Sequence, residues 1–141
     1  MHDAVRPLTS DDIPAVVALE AEARTALLDQ RGGPAHLDEE PPADWGAAIG
    51  RAWVGTLDDV VLGYLELIYH GTAARVRQVF VHPEARELGL GDALLAAALE
   101  AARAAGCTVL EGTALPGDRE TKNLYERAGI KARKIVVSVP L

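Results

Sequence analysis

The sequence is poor in the residue types and segments that mark several classes of protein. Among its 141 residues it has a single cysteine, Cys107, which excludes an internal disulfide and a metal site built from several cysteines. Aromatic residues make up 4% of the chain, too few for a surface on which single-stranded nucleic acid stacks. No apolar run approaches the ~20 residues that a membrane-spanning helix needs. These absences predict a protein without nucleic-acid or membrane partners.

The charge and the amount of apolar sequence narrow the class further. The net charge is −7, whereas proteins that bind nucleic acid generally carry a basic surface. The acidic N-terminus lacks the apolar stretch of a secretory signal, and the four histidines are too scattered to predict a metal site. With 49% hydrophobic residues, the chain is long enough for one domain with its own core. We therefore expect a single cytoplasmic domain over 1–141 that needs no metal.

Hydrophobic periodicity and turn residues predict the order β-α-loop-β-β-β-α-β-α-β. The irregular segment 29–50 is expected to be a loop with a short helix around 43–49. A strand, a helix and a strand follow one another between 73 and 115, so those two strands should be parallel. The predicted strands are 3–8, 51–57, 60–70, 73–81, a buried strand at 107–115 and a final strand at 130–140, and the predicted helices are 9–28, 90–105 and 118–128.

Residues 79–92 carry the most informative motif, because they lead from a strand through a glycine-containing turn into a helix. The first amides of a helix lack intrahelical partners and lie at the positive end of its dipole, so they attract anions. Gly89 and Gly91 let a phosphate approach the backbone, and Arg86 adds a charged donor. An ordinary strand-to-helix turn is the alternative interpretation. No Gly-Lys-Ser/Thr follows, and the third glycine of a dinucleotide fingerprint is missing.

Two motifs resemble those of the GNAT superfamily of acyl-CoA-dependent N-acyltransferases. The segment 86–91, Arg-Glu-Leu-Gly-Leu-Gly, matches the family's Q/R-x-x-G-x-G/A signature. The segment 118–130 is similar to a second family motif, N-x-x-A-x-x-L-Y-E-x-x-G-F. The resemblance implies an α/β (α+β) GNAT fold. Its central mixed, mostly antiparallel sheet would have six to seven strands, helices would flank it, and one parallel strand pair would be splayed.

The resemblance also implies acetyl-CoA as cosubstrate and assigns roles to the motif residues. The amides of 88–92, with Arg86, would hold the pyrophosphate, and the backbone of 79–81 would bond to pantetheine. Tyr125 would protonate the departing thiolate. The implied cofactor-binding residues are Val79, Phe80, Val81, Arg86, Glu87, Leu88, Gly89, Leu90, Gly91, Asp92, Asp118 and Lys122.

The residue that removes a proton from the attacking amine is less well defined by the sequence. Many members of the family have an acid on the strand before the glycine loop, but this strand offers only arginines and Gln78. Glu66 and Glu111 lie within apolar strands, where a carboxylate is costly unless it is paired or solvated. Each is a candidate catalytic base, and each could instead form a structural pair with Arg75 or Arg77. His82, directly after the strand at 73–81, is a third candidate, and it could instead have a structural or solvent-facing role. A water relay is the remaining route.

The resemblance also bears on the amine that receives the acetyl group and on the oligomeric state. The acidic segment 29–50 lies where family members build the acceptor pocket and could attract a cationic amine, or it could be a solvated loop. We therefore expect acetyl transfer to a primary amine on a small molecule or a protein N-terminus, by direct attack in a ternary complex. A non-catalytic acyl-CoA-binding module is the alternative. The chain has a single predicted strand after its last helix, an edge that a second subunit of a homodimer could cover.

Overall fold

A computed structural model describes residues 4–141, and its centre is a five-stranded sheet in the order β1-β2-β3-β4-β5. Neighbouring strands are antiparallel except β4 and β5, which are parallel as the sequence predicts. The mixed sheet and the parallel pair confirm the predicted fold class. The strands are β1 (Ala4–Pro7), β2 (Ala52–Leu57), β3 (Val60–His70), β4 (Ala73–Val81) and β5 (Val109–Gly112).

Helices cover both faces of the sheet. Side chains alternate along β3: Tyr64 packs with α1 residues in one apolar cluster, and Leu65 packs with α4 residues in the other. Among residues 4–141, no helix has the length and apolar character needed to cross a membrane. The helices are α1 (Ile13–Leu27), α2 (Gly33–Glu39), α3 (Trp45–Ala48), α4 (Leu90–Ala104) and α5 (Arg119–Arg127), with short 3-10 turns at Ser10–Asp12 and Pro83–Ala85.

A β-bulge interrupts the regular pairing of β4 with β3. Glu66 pairs with Gln78 but Leu67 pairs with Val76, so Arg77 is an extra residue on β4. Such a bulge bends a strand and redirects its side chains. Pairing between β4 and β5 ends at Val76 and Gly112, whereas β4 continues to Val81. This early end to the pairing is the splayed parallel pair that the family resemblance implies.

The predicted final strand is wrong. Residues 130–141 form neither helix nor strand, and the apolar side chains of 135–137 are more than three-quarters exposed. Alternating β-branched residues favour a strand, but they do not provide the neighbouring strand whose backbone it must bond. The described chain therefore has five strands rather than six or seven.

Two further segments differ from their predictions. The expected buried strand at 107–115 is only Val109–Gly112, and Val109 is 46% exposed because β5 is an edge strand. Within the expected loop at 29–50, α3 confirms the short helix around 43–49, but α2 was not predicted. Gly33 and Pro34 begin α2, because proline is tolerated in the first turn of a helix.

Candidate active site

A cleft of about 920 Å³ passes along β4 where that strand has separated from β5. Its walls come from both faces of the sheet. We call one part the α4 end, lined by Arg86, Gly89, Gly91, Asp92 and Asp118, and the other the α1 end, lined by Arg24, His36, Glu40, Tyr64 and Gln78. Residues 79–81 of β4 line the cleft between these two ends.

Tyr125 reaches the point where β4 and β5 part. The side chain comes from α5, is 8% exposed and lines the cleft. Its hydroxyl lies against Gly112, the last residue of β5, where a Cβ would overlap Tyr125 Oη and Cζ and lie 2.8 Å from Cε1. Burial, and secondarily the charge of Asp118, raise the pKa of Tyr125 to about 12, so this phenol keeps its proton at neutral pH.

At the α4 end, the hydrogen-bond donors include the backbone amides at the start of α4 as well as the side chain of Arg86. Gly89 is the N-cap of α4 and adopts a left-handed conformation with φ of 82°, which glycine accepts at little cost. Arg86 donates from Nε to Val81 O at 3.2 Å and forms an ion pair with Glu120, Nε to Oε2, at 2.8 Å. An anion at this end would therefore meet helix-start amides and an arginine whose partner is largely exposed.

Asp92 and Asp118, two of the acids at the α4 end, have partners of their own. Asp92 Oδ1 lies 3.0 Å from Arg127 Nε, so its charge is opposed by a cation. Asp118 caps α5 by accepting from the backbone N–H of Thr121 at 3.1 Å and from its hydroxyl at 2.8 Å. Asp118 thus begins the helix that carries Tyr125 while also lining the cleft.

Most of the predicted cofactor-binding residues line the cleft. Leu88 is 49% exposed and Lys122 is exposed, and neither contributes to the cleft wall. The residues that do line it are Val79, Phe80, Val81, Arg86, Glu87, Gly89, Leu90, Gly91, Asp92 and Asp118.

The predicted base Glu66 lies in a buried polar network behind the cleft. It is 2% exposed, and its Oε2 accepts from Arg51 at 2.9 Å. Its Oε1 accepts from Arg77 at 2.9 Å and from Gln78 at 3.0 Å. Both oxygens are therefore held by donors, and Glu66 is not part of the cleft wall. The pair with Arg77 is one of the structural alternatives that the sequence suggested.

The other predicted base, Glu111, lies on β5 opposite Arg75 in the register, is exposed, and does not line the cleft. Glu40 does line the α1 end, but Arg75 lies 3.1 Å from its Oε1 and Arg77 3.9 Å from its Oε2. The structure therefore brings neither predicted acidic base to the cleft wall, and His82 lies outside that wall as well. Glu40, the acidic residue of the α1 end, is paired.

Gln78 belongs to the α1 end, although its place in the sequence shows only that the strand has no acid there. Glu40 belongs to the acidic segment expected near the acceptor, but the sequence does not indicate that Arg24 and His36 lie with it in the cleft wall. The positions of His36 and Glu40 depend on α2, which was predicted as a loop. In the part of the chain that the structure describes, no three histidine, cysteine or acidic residues are grouped to hold a metal ion.

Comparison with known proteins identifies the family. The profile of the acetyltransferase (GNAT) family matches residues 15–130. No curated protein matches the chain significantly.

Solved structures share the fold. The aminoglycoside acetyltransferase AAC(6')-Iy, in complex with a bisubstrate analogue of CoA and acetylneamine, is 17% identical over 100% of this chain and 99% of that chain, with a TM-score of 0.70. The BH1408 protein of Bacillus halodurans, as a mutant, is 17% identical over 98% and 99%, with a TM-score of 0.73. AAC(6')-IG of Acinetobacter haemolyticus is 17% identical over 98% and 97%, with a TM-score of 0.67.

At these identities, the structural likeness establishes the fold and nothing more. The family profile covers most of the chain, including both motifs that resemble the family in the sequence. The chain belongs to the acetyltransferase (GNAT) family and is an acyltransferase of that type.

Proposed function

We propose that this protein transfers an acetyl group from acetyl-CoA to a primary amine of a small molecule or a protein N-terminus, by direct attack in a ternary complex. The observation that carries the proposal is the position of the Tyr125 hydroxyl, in a cleft that opens where β4 and β5 part. Solved structures with this fold contain CoA or a CoA bisubstrate analogue, which supports the choice of cosubstrate.

Acetyl-CoA would bind with its pyrophosphate at the α4 end. The α4 amides and Arg86 supply donors for the phosphates, while the pairing with Arg127 offsets the charge of Asp92. Beyond Val76, β4 has no β5 partner, so the backbone of residues 79–81 can bond to pantetheine, which takes the place of β5. An amide near Val81 would polarise the thioester carbonyl as its oxygen gains charge.

The chemical step is a direct displacement. The neutral amine nitrogen attacks the thioester carbonyl carbon, the carbon–sulfur bond breaks, and CoA leaves as its thiolate. Tyr125 donates its hydroxyl proton to the thiolate, since its raised pKa keeps the phenol protonated at neutral pH, and the phenolate that is left takes a proton back from solvent. We propose that the proton lost by the amine passes to water in the cleft, because Glu66 is held by three donors and Glu111 lies outside the cleft wall.

A non-catalytic acyl-CoA-binding module remains the alternative function. Both functions need the α4 end to bind acyl-CoA. Only catalysis needs a proton donor at the point where β4 and β5 part. The buried tyrosine with its hydroxyl at Gly112 favours catalysis, because a module that only binds acyl-CoA needs no proton donor there.

Release of the CoA thiol tests the proposal directly. We expect a panel of primary amines, including neamine and a peptide with a free N-terminus, to accelerate thiol release from acetyl-CoA. Replacing Tyr125 with Phe should lower kcat by about 100-fold, the lower range for a lost general acid. The wild-type rate should not fall as the pH passes tyrosine's ordinary pKa of about 10. Thermal stabilisation by acetyl-CoA without release for any amine would favour the binding module.

We also propose that the protein forms a homodimer through the segment 130–141. Support comes from its exposed apolar side chains and from the open edge of β5. Sedimentation velocity tests this proposal: the full chain should sediment as a dimer, and a variant ending at Ile130 as a monomer. A full-length monomer at all concentrations would contradict it. The apolar residues exposed in this segment are Ile135, Val136, Val137, Val139 and Leu141.

A further inference from the structure

Gln78 stands out because two buried carboxylates hold its side-chain amide. Its Nε2 donates to Glu20 Oε2 at 2.8 Å and to Glu66 Oε1 at 3.0 Å. Glu20 is 4% exposed and Glu66 2% exposed. Ionised carboxylates only accept hydrogen bonds, so the nitrogen of the amide, rather than its oxygen, must face them. Chemistry thus fixes the orientation of this amide.

The carbonyl oxygen of Gln78 is consequently directed away from the two acids. No described residue donates to Oε1, and no buried side-chain polar atom in residues 4–141 lacks a partner, so Oε1 is accessible. Gln78 lines the cleft, two residues beyond Val76, the last residue of β4 that pairs with β5. An immobilised hydrogen-bond acceptor therefore faces the α1 end beside the splay.

The charged side chains near Gln78 already have hydrogen-bond or ion-pair partners within the protein. Arg77 donates to Glu66 and to the carbonyl of Pro41, and Arg24 donates to the carbonyls of Leu37 and Glu40. Glu40 is paired with arginines. The α1 end thus offers an oriented carbonyl oxygen rather than a free charge, which differs from the expected attraction of a cation by the acidic segment.

We propose that Gln78 Oε1 is the hydrogen-bond acceptor that holds an N–H of the amine, with Glu20 and Glu66 acting as positioning residues. This inference rests on the proposed function. A neutral amide accepts one N–H of the amine without removing its proton, which leaves the nitrogen lone pair directed at the thioester. A carboxylate here would instead stabilise the ammonium form, whose lone pair is blocked.

Kinetics with a matched pair of variants test the inference. Replacing Gln78 with Met removes the acceptor while keeping a similar length. We expect kcat/KM for an accepted amine to fall about tenfold to a hundredfold, the cost of an unpaired polar group, with KM for acetyl-CoA unchanged. Gln30, the other glutamine in the chain, donates to Pro116 O and also lines the cleft. Replacing Gln30 with Met should leave the amine parameters unchanged. Equal effects of the two variants would overturn the proposal.

A second measurement needs no turnover. The chain has two glutamines and one asparagine, so its side-chain amides give few signals in a ¹⁵N-correlated NMR spectrum. We expect the Gln78 NH₂ protons to exchange with water more slowly than those of Gln30, and to do so faster when Glu20 is replaced by Ala. Adding ethylamine to the CoA-saturated protein should shift the Gln78 signals and not those of Gln30.

The outcomes distinguish this inference from the proposed function. Thiol release that does not depend on Gln78 would overturn the inference and keep the function. Without thiol release for any amine, the function fails. In that case ethylamine shifts at Gln78 would support the subsite, whereas rapid amide exchange or the absence of shifts would overturn it.

Discussion

The two ends of the cleft are built in different ways. The α1 end rests on a buried polar network, in which Glu20 and Glu66 are almost fully buried and Gln78 bridges them. The α4 end has ion pairs at the surface: Arg86 with Glu120, and Asp92 with Arg127, each with at least a third of the side chain exposed. Buried pairs resist rearrangement, whereas exposed pairs contribute little and exchange easily. The α1 end is thus suited to orienting a reactant, and the α4 end to exchanging side-chain partners for phosphate.

The largest effect should come from breaking the buried network. Replacing Glu66 with Ala leaves Arg51 and Arg77 without their buried carboxylate partner. We expect the free energy of unfolding to fall by about 3–5 kcal/mol, measured by urea denaturation. Replacing Glu111, which is exposed, with Ala should change it by no more than about 0.5 kcal/mol. Equal losses would show that the contrast between buried and exposed acids is not real.

A smaller loss of stability is expected at the junction between the two ends. A Cβ at Gly112 overlaps Tyr125, so replacing Gly112 with Ala should destabilise the protein by about 1–3 kcal/mol, the usual cost of overpacking. The variant should also lose acetyl transfer, because the hydroxyl must move. Gly46 is the control, since a Cβ there meets only ordinary contact at 3.5 Å. A Gly112 variant with normal kcat would show that the position of the Tyr125 hydroxyl is unimportant.

The smallest effect is expected at the exposed pairs of the α4 end. Replacing Glu120 with Gln frees Arg86 and removes a negative charge near the proposed phosphate position. We expect KM for acetyl-CoA to fall by about twofold to fivefold, in line with the small energy of an exposed pair. Glu126 on the same helix does not line the cleft, so its replacement with Gln should have no effect. Weaker acetyl-CoA binding in the Glu120 variant would indicate that this pair helps to form the site.

The sequence predicted the parts of the site that depend on local signals. The glycine turn after β4 and the start of α4 both follow from short-range spacing. β3 and β4 were predicted with the bounds that the structure shows. The splayed pair came with the family resemblance, and the register of β4 and β5 confirms it.

The parts that could not be predicted depend on long-range contacts. Glu20 and Gln78 are 58 residues apart in sequence and meet only because α1 packs over the sheet. The bulge at Arg77, which brings that residue and Gln78 together beside Glu66, leaves no local mark in an alternating strand. At the C-terminus, the periodicity indicated a strand, but it could not show whether a neighbouring strand would be available.

The central claim is that one cleft binds two substrates at ends of different construction, and two-substrate steady-state kinetics test it most directly. Each of the variants Gln78→Met and Glu120→Gln would be measured with acetyl-CoA and with one accepted amine as the varied substrate. The account predicts that the Gln78 variant changes kcat/KM for the amine and leaves the parameters for acetyl-CoA unchanged. It predicts that the Glu120 variant changes KM for acetyl-CoA and leaves the parameters for the amine unchanged. Changes in the same parameter for both variants, or exchanged effects, would contradict it.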